Sequence, residues 1–375
     1  LKKKPSRRGS HSTHKHLPPP KRRPSQKKSS PGTVPYVWAI AALEGTQDIV
    51  RDELTGRFGK SCSFIDHPRN DEIHLRFTDD PRELLSLSTA QTLLLRRDFD
   101  VIRPRTLLSP EHTAAVVRLF SDAQNIKGVS PPASFRFDAA GSGSPTMRRI
   151  AEQVEKQLGI PFDPETGDGV LVFRPGKPGW EVMCRVGNRP LATRDWRRVN
   201  YLGSLNAAIA SCMVELTRPA RGDRYLNLMC GSGTLLIERL RRLQAQLAVG
   251  IDISDDALTA SKHNLEAAGF TDRVRLISGD AQDICFPDAS FDAIATDLPW
   301  GERLGSRETN LTLYRGTFKE TARVCRAGGK WVVLTQDIDS IRTVLAEAQD
   351  LWNVIDERTI LQRGYQPFCA TLQRK

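Results

Sequence analysis

The run Asn227-Leu228-Met229-Cys230-Gly231-Ser232-Gly233-Thr234 joins an apolar segment over 224–229 to an amphipathic one over 234–243. Its pattern is strand, glycine-bracketed turn, helix. Gly231 and Gly233 let the main chain turn sharply and approach a ligand closely. Asp252 ends the next strand-like segment, 19 residues after Gly233, where a carboxylate can accept hydrogen bonds from a ribose diol. A dinucleotide site would want a third glycine three residues after the second, to seat a pyrophosphate on the helix N-terminus. That position is Leu236. The residues therefore favour a smaller nucleoside ligand, such as S-adenosylmethionine. Asp280, after the third strand, either meets the adenine amino group or is an exposed turn residue.

Outward from this turn, helix and strand patterns alternate from 205 to 375. Strands are expected over 224–229, 248–252, 274–278, 291–297 and 330–335, with two more towards residue 375. Helices are expected over 205–216, 234–243, 254–268, 313–326 and 339–349. Such alternation specifies an α/β fold with a mostly parallel, Rossmann-like sheet covered on both faces, here assigned to 196–375. Upstream, 36–42, 61–66, 72–77 and 92–101 read as strands, and 46–57 and 81–88 as helices. This is a β-α-β-β-α-β order of ferredoxin-like type, assigned to 34–105. A further unit, 106–195, holds two helices that each open on Ser-Pro, at Ser109-Pro110 and Ser144-Pro145. In each, the serine is an N-cap and the proline the first helical residue. A strand over 134–140 and a hairpin over 169–186 complete it.

The chemistry is expected at Asp297-Leu298-Pro299-Trp300-Gly301, which follows the buried strand over 291–296. Ligands of open α/β sheets bind beyond the carboxyl ends of the strands, which sets Asp297 beside the nucleotide crevice. An exocyclic amine on a base is a poor nucleophile because its lone pair is delocalised into the ring. The Asp297 carboxylate and the Leu298 carbonyl can both accept its hydrogens, orienting it and stabilising the charge that grows on nitrogen. Pro299 fixes the turn, and Trp300 offers a face on which a base can stack. This scheme uses no metal.

Charge and cysteine usage bound the rest. The net charge is +11, yet residues 1–33 alone carry eleven Lys and Arg, six prolines and no acid. Removing those eleven from 55 basic residues leaves 44, matched by 44 acidic ones. The segment 1–33 is expected to be a disordered basic tail, serving either as a sequence-blind arm for nucleic-acid phosphates or as a solubilising extension. Residues 34–200 hold 23 basic and 22 acidic residues, so RNA contact there would come from local patches. Arg148, Arg149, Arg194, Arg197 and Arg198 are the candidates. Seven scattered cysteines without a C-x-x-C pair, no secretory apolar run and no membrane-length segment point to a reducing, cytoplasmic setting, with no membrane partner.

The stretch 227–238, Asp252, and Asp-Leu-Pro-Trp-Gly-Glu-Arg-Leu-Gly-Ser (297–306) resemble the THUMP-containing Rossmann RNA methyltransferases. Within them they are most similar to the tRNA guanine-N2 methyltransferases that modify the sixth nucleotide of the acceptor stem. Leu313-Tyr314, Arg323-Val324-Cys325 and Leu334-Thr335-Gln336-Asp337 also resemble that branch. The resemblance implies an N-terminal ferredoxin-like domain, a THUMP domain that holds the tRNA acceptor stem and 3′ end, and a catalytic domain. It implies S-adenosylmethionine bound by the segment Ser204-Leu205-Asn206, by Asn227, Met229, Gly231, Gly233 and Thr234, by Asp252 and Ile253, by Asp280 and Ala281, and by Asp297. Arg303 resembles an arginine near the target nucleotide, and Arg194, Arg197 and Arg198 join it as expected substrate-binding residues. The sequence departs from the family at Asn227, where an aspartate is usual, and at Trp300, where Phe or Tyr is usual. Rival assignments are the same reaction on large-subunit rRNA, amino methylation of adenine in DNA or of glutamine, and an RNA-binding protein without catalytic activity. A small activating protein partner stays open.

Overall fold

The computed structural model of the chain describes Leu1 and residues 36–375, apart from Pro178, residues 302–306, Arg363 and the side chains of 307 and 308. All of the tail but Leu1, and Arg303, therefore lie outside the described residues. Two seven-stranded sheets organise the remainder. The first is built from β1 (Val37–Ala41), β2 (Cys62–Ile65), β3 (Glu72–Phe77), β4 (Thr92–Phe99), β5 (Phe135–Ala139), β6 (Gly169–Pro175) and β7 (Trp180–Arg185), in the order β2-β3-β1-β4-β7-β6-β5. Antiparallel pairing of β4 with β7, from Leu94 opposite Arg185 to Phe99 opposite Trp180, carries this sheet across the expected boundary at 105.

Three helices belong to this half: α1 (Gln47–Phe58), α2 (Pro110–Gln124) and α3 (Pro145–Leu158). Ser109 and Ser144 cap α2 and α3, accepting from the N–H groups of His112 and Met147; such caps contribute about 1 kcal/mol each. Gly159, at φ +73°, ends α3 and donates to the Glu155 carbonyl. The expected helix over 81–88 is instead a 3-10 turn over Pro81–Ser86. Its three-residue repeat buries Leu84 and Leu87, and so short a segment gains little from an α-helical ladder.

The opposite face of the first sheet carries a network of histidines and charged groups. The His67 and His74 rings stack with centroids 3.8 Å apart. Arg96 donates to Nδ1 of His74 over 3.0 Å and pairs with Glu181 over 2.9 Å. Guanidinium only donates, so the His74 proton sits on Nε2 and is given to Glu72 over 2.9 Å. Burial alone would raise the Glu72 carboxyl, but hydrogen bonds from His74 and Arg174 hold it down to about 2.

The second sheet holds β8 (Arg224–Leu228), β9 (Leu247–Asp252), β10 (Arg275–Ser278), β11 (Phe291–Asp297), β12 (Cys325–Thr335), β13 (Trp352–Thr359) and β14 (Phe368–Arg374). Their order is β10-β9-β8-β11-β12-β14-β13. The first five are mutually parallel, while β14 runs antiparallel between β12 and β13. Helices α4 (Ala207–Leu216), α5 (Thr234–Arg242), α6 (Asp255–Ala268), α7 (Arg307–Val324) and α8 (Ile338–Glu347) connect them. Separate apolar clusters, centred on Phe318, Trp331 and Trp352 and on Met213, Tyr225 and Leu236, are packed around this sheet. This is the doubly wound arrangement that the alternation predicts. Strand β12 starts at Cys325, five residues before expectation, because the main chain passes through Gly328 (φ +76°) and pairs with Phe291 before an irregularity in register.

The two sheets pack together within the unit Tyr36–Lys375. Leu361 N–H donates to the Glu44 carbonyl over 3.0 Å, and Arg358 reaches the Gly45 carbonyl over 3.0 Å. No helix among the described residues is long and apolar enough to cross a membrane.

Candidate active site

Strand order reverses between β8 and β11, so the loops leaving these two strands diverge and leave a crevice. The structure has a cavity of about 1020 Å³ there. Its floor is the glycine turn. Met229 adopts φ +51°, Gly231 +52° and Gly233 +79°; positive φ at a methionine marks a strained main chain of the kind that collects at functional sites. The turn is pinned by Asp252, whose Oδ2 accepts from Gly231 N–H over 2.8 Å while Oδ1 accepts from Ser254 N–H over 3.0 Å. Each carboxylate oxygen keeps a second lone pair, so Asp252 can still accept from a diol. Ser204 and Ser232 hydroxyls meet over 2.9 Å along one wall.

Fourteen of the residues expected at the site line this cavity: Ser204, Leu205, Asn206, Met229, Gly231, Thr234, Asp252, Ile253, Asp280, Ala281, Asp297, Leu298, Pro299 and Trp300. Gly233 is not among the lining residues. It caps α5, and a Cβ there would stand 2.4 Å from the Ser261 hydroxyl. Asn227 lies apart from the cavity lining. It is buried between strands, its Nδ2 donating to the Leu228 and Ala295 carbonyls. Its Oδ1 is buried without a partner, and its amide group braces β8 against β11.

Of the four arginines expected at the substrate, Arg194 and Arg197 are engaged within the described residues. Arg194 donates to the Ser88 and Leu191 carbonyls and to Glu238, all within 3.0 Å. Arg197 donates to the Leu205 carbonyl over 2.8 Å and to Thr234 Oγ1 over 3.1 Å. Both are internal struts. Arg198 is exposed, and its backbone N–H is held by Asn264 Oδ1. Arg148 and Arg149 are exposed on α3.

At the end of β11, burial pushes the Asp297 carboxyl up to about 7, opposed by a hydrogen bond from the Trp300 indole. That bond, Nε1 to Oδ1, spans 3.1 Å. Leu298 is buried and its N–H is tied to the Leu334 carbonyl over 2.9 Å. The sequence marks Tyr314 and Asp337 by resemblance alone and does not signal the brace behind the turn. Tyr314, on α7, donates to the Pro299 carbonyl over 2.5 Å, and Asn310 donates to the same carbonyl over 3.2 Å and to Asp337 over 3.1 Å. Nor did it signal Tyr365 and Gln362, which reach the cavity from the β13–β14 connection. Both lie in an irregular loop, where neither period applies.

The cavity fits a nucleoside ligand on the structure's own terms. Leu202 and Ile253 are large apolar side chains left 62% and 75% exposed at its lining, as a flat ring would cover them, and Asp252 and Asp280 supply acceptors beside them. Residues 194–362 match the family model of the RMKL-like methyltransferase domain. A tRNA (guanine(6)-N2)-methyltransferase of Thermus thermophilus is 26% identical over 311 residues, covering 80% of this chain and 89% of that protein. A U6 snRNA (guanine-N(2))-methyltransferase of Mus musculus is 32% identical over 148 residues, 40% of this chain and 27% of that protein. The chain spans less than half the length of the first relatives it matches. Among solved structures, TrmN from Thermus thermophilus superposes with a TM-score of 0.74 at 20% identity, covering 91% of this chain and all of that one. That likeness extends the shared fold through both sheets, well upstream of residue 194.

Proposed function

We propose that the chain methylates the exocyclic N2 of a guanosine in tRNA, at the sixth position of the acceptor stem, using S-adenosylmethionine. The single observation that carries this is the placement of Asp297 and Leu298 at the end of β11, on the same cavity as the Gly231 turn. When bound, the cofactor supplies an electrophilic methyl group on a sulfonium. Asp252 and Asp280 would hold its nucleoside, with Ile253 and Ala281 against the ring. Asp297 accepts one amine N–H and the Leu298 carbonyl accepts the other, which turns the nitrogen lone pair towards the donor. A carboxylate with a pKa near 7 is matched to taking up the proton that the alkylated nitrogen sheds.

The relatives' names support guanine N2 as the target. The tRNA assignment draws on the Thermus relative, whose similarity runs through both halves of the chain. In this proposal residues 34–105 and 106–195 act as the ferredoxin-like and THUMP domains that present the acceptor stem, and the target base is flipped out of its pair. All seven cysteines are unpaired, which suits a cytoplasmic enzyme.

The test is incubation with unmodified tRNA and labelled S-adenosylmethionine, followed by nucleoside mass spectrometry and mapping of the modified position. N2-methylguanosine at position 6 is expected. Methylation of a U6 snRNA transcript but not of tRNA would move the substrate; 1-methylguanosine or methyladenosine would overturn the chemistry. Asp297→Ala should lower kcat by about 100-fold or more while leaving cofactor Kd within about threefold.

A further inference from the structure

The sequence casts Trp300 as a stacking platform, yet its contacts in the structure point to a second role. The indole N–H is aimed at Asp297 Oδ1 over 3.1 Å, the one side-chain donor to that carboxylate among the described residues. The ring is held from the side by Tyr365, with centroids 5.6 Å apart and planes inclined at 56°. An indole N–H lies in the ring plane, so donating it leaves a ring face free for a base. Phenylalanine, usual at this position in the resembled family, has no such donor. A tyrosine hydroxyl stands at the far end of its ring.

We propose that Trp300 is a positioning residue for Asp297: its indole N–H clamps one carboxylate oxygen and turns the other towards the substrate amine. The clamp rests on the reading of Asp297 as the amine's acceptor. It also explains how a carboxylate in a dry pocket stays usefully ionised. Burial favours the neutral acid, and a hydrogen bond to the charged form opposes it. Among the described residues, the other ionisable groups at this end of the sheet include Tyr314 on α7, Asp337 after β12, Cys369 on β14, Tyr365 on the β13–β14 connection, and Asp252 and Asp280 across the cavity. Burial raises the Tyr314 phenol and pushes the Cys369 thiol to about 12, so both are neutral where Asp297 titrates.

The sign follows from the role. The ionised carboxylate is the active form, so kcat/KM rises with pH through the free enzyme's Asp297 pKa, near 7. Trp300→Phe keeps an aromatic face and removes the donor. It should move this acid limb up by on the order of one pH unit, so that the ratio of wild-type to variant rate shrinks about tenfold between pH 6.5 and 9. Trp300→Ala should lower the rate at every pH. A second measurement needs no activity. In the cofactor-free wild type, the Trp300 indole N–H resonance should titrate with a midpoint near 7, and in Asp297→Asn it should not move. An unshifted limb in Trp300→Phe, or a wild-type indole resonance that stays flat from pH 5 to 9, overturns the clamp. Should Asp297→Asn retain full turnover while the wild-type resonance still titrates, the clamp stands and the catalytic reading of Asp297 falls.

Discussion

Arg197 and Arg198 adjoin in the chain and belong to different environments. Arg197 ties the Leu205 carbonyl to Thr234, and burial lowers its pKa. Arg198 points to solvent. Arg197→Ala leaves buried acceptors unpaired, which costs about 1–3 kcal/mol, visible as a lower urea midpoint. Arg198→Ala should leave that midpoint unchanged and raise KM for RNA, with the salt dependence of binding flattened by about one charge. Equal effects on stability, or none on RNA binding for Arg198→Ala, would remove Arg198 from the interface. From composition the two residues were indistinguishable. A cation's role depends on whether acceptors surround it, and that is settled by folding, not by spacing.

At the level of elements, the glycine turn shows what a sequence carries well. Strand, turn, helix and terminal acid are local features, and each landed within a residue or two of expectation. Ser109, Ser144 and Ser254 cap their helices as their positions imply. What escaped was non-local. Asn227 matches a ligand-binding position by alignment of motif, but its side chain is claimed by the Ala295 carbonyl on the neighbouring strand. The Tyr314–Asn310 brace depends on α7 crossing behind the β11 turn, a juxtaposition that no period encodes. The helix of the first half that failed, 81–88, was the shortest. Gly233→Ala tests the turn itself. The new Cβ meets Ser261 Oγ at 2.4 Å on a main chain at φ +79°, so a loss of about 1–3 kcal/mol is expected together with weaker cofactor binding. Adding Ser261→Gly should restore only the steric share; full recovery would show that left-handed backbone is not required there.

For the whole molecule, the β4–β7 pairing makes one rigid plate of segments that the motif order assigns to two domains. The ion network on its outer face sets an acid limit to the fold. Glu72 has its folded pKa held down to about 2 from an ordinary 4.5. Its contribution to stability is therefore complete above about pH 4.5 and fades as the pH falls towards 2. The difference in urea midpoint between wild type and Glu72→Gln should be widest above pH 5 and narrow steadily to pH 3; a gap that ignores pH would show that charge is not what Glu72 supplies. The second sheet raises a matter of timing. Strand β14, at 368–374, fills the slot between β12 and β13 and is the only partner of β13 among the described residues. On the ribosome, every residue of the second sheet up to Thr359 emerges before the strand that unites it. A nascent chain stalled short of Phe368 displays a bare β12 flank and an orphaned β13, the open ladder that invites intermolecular pairing, and a chaperone would need to shield it until translation resumes.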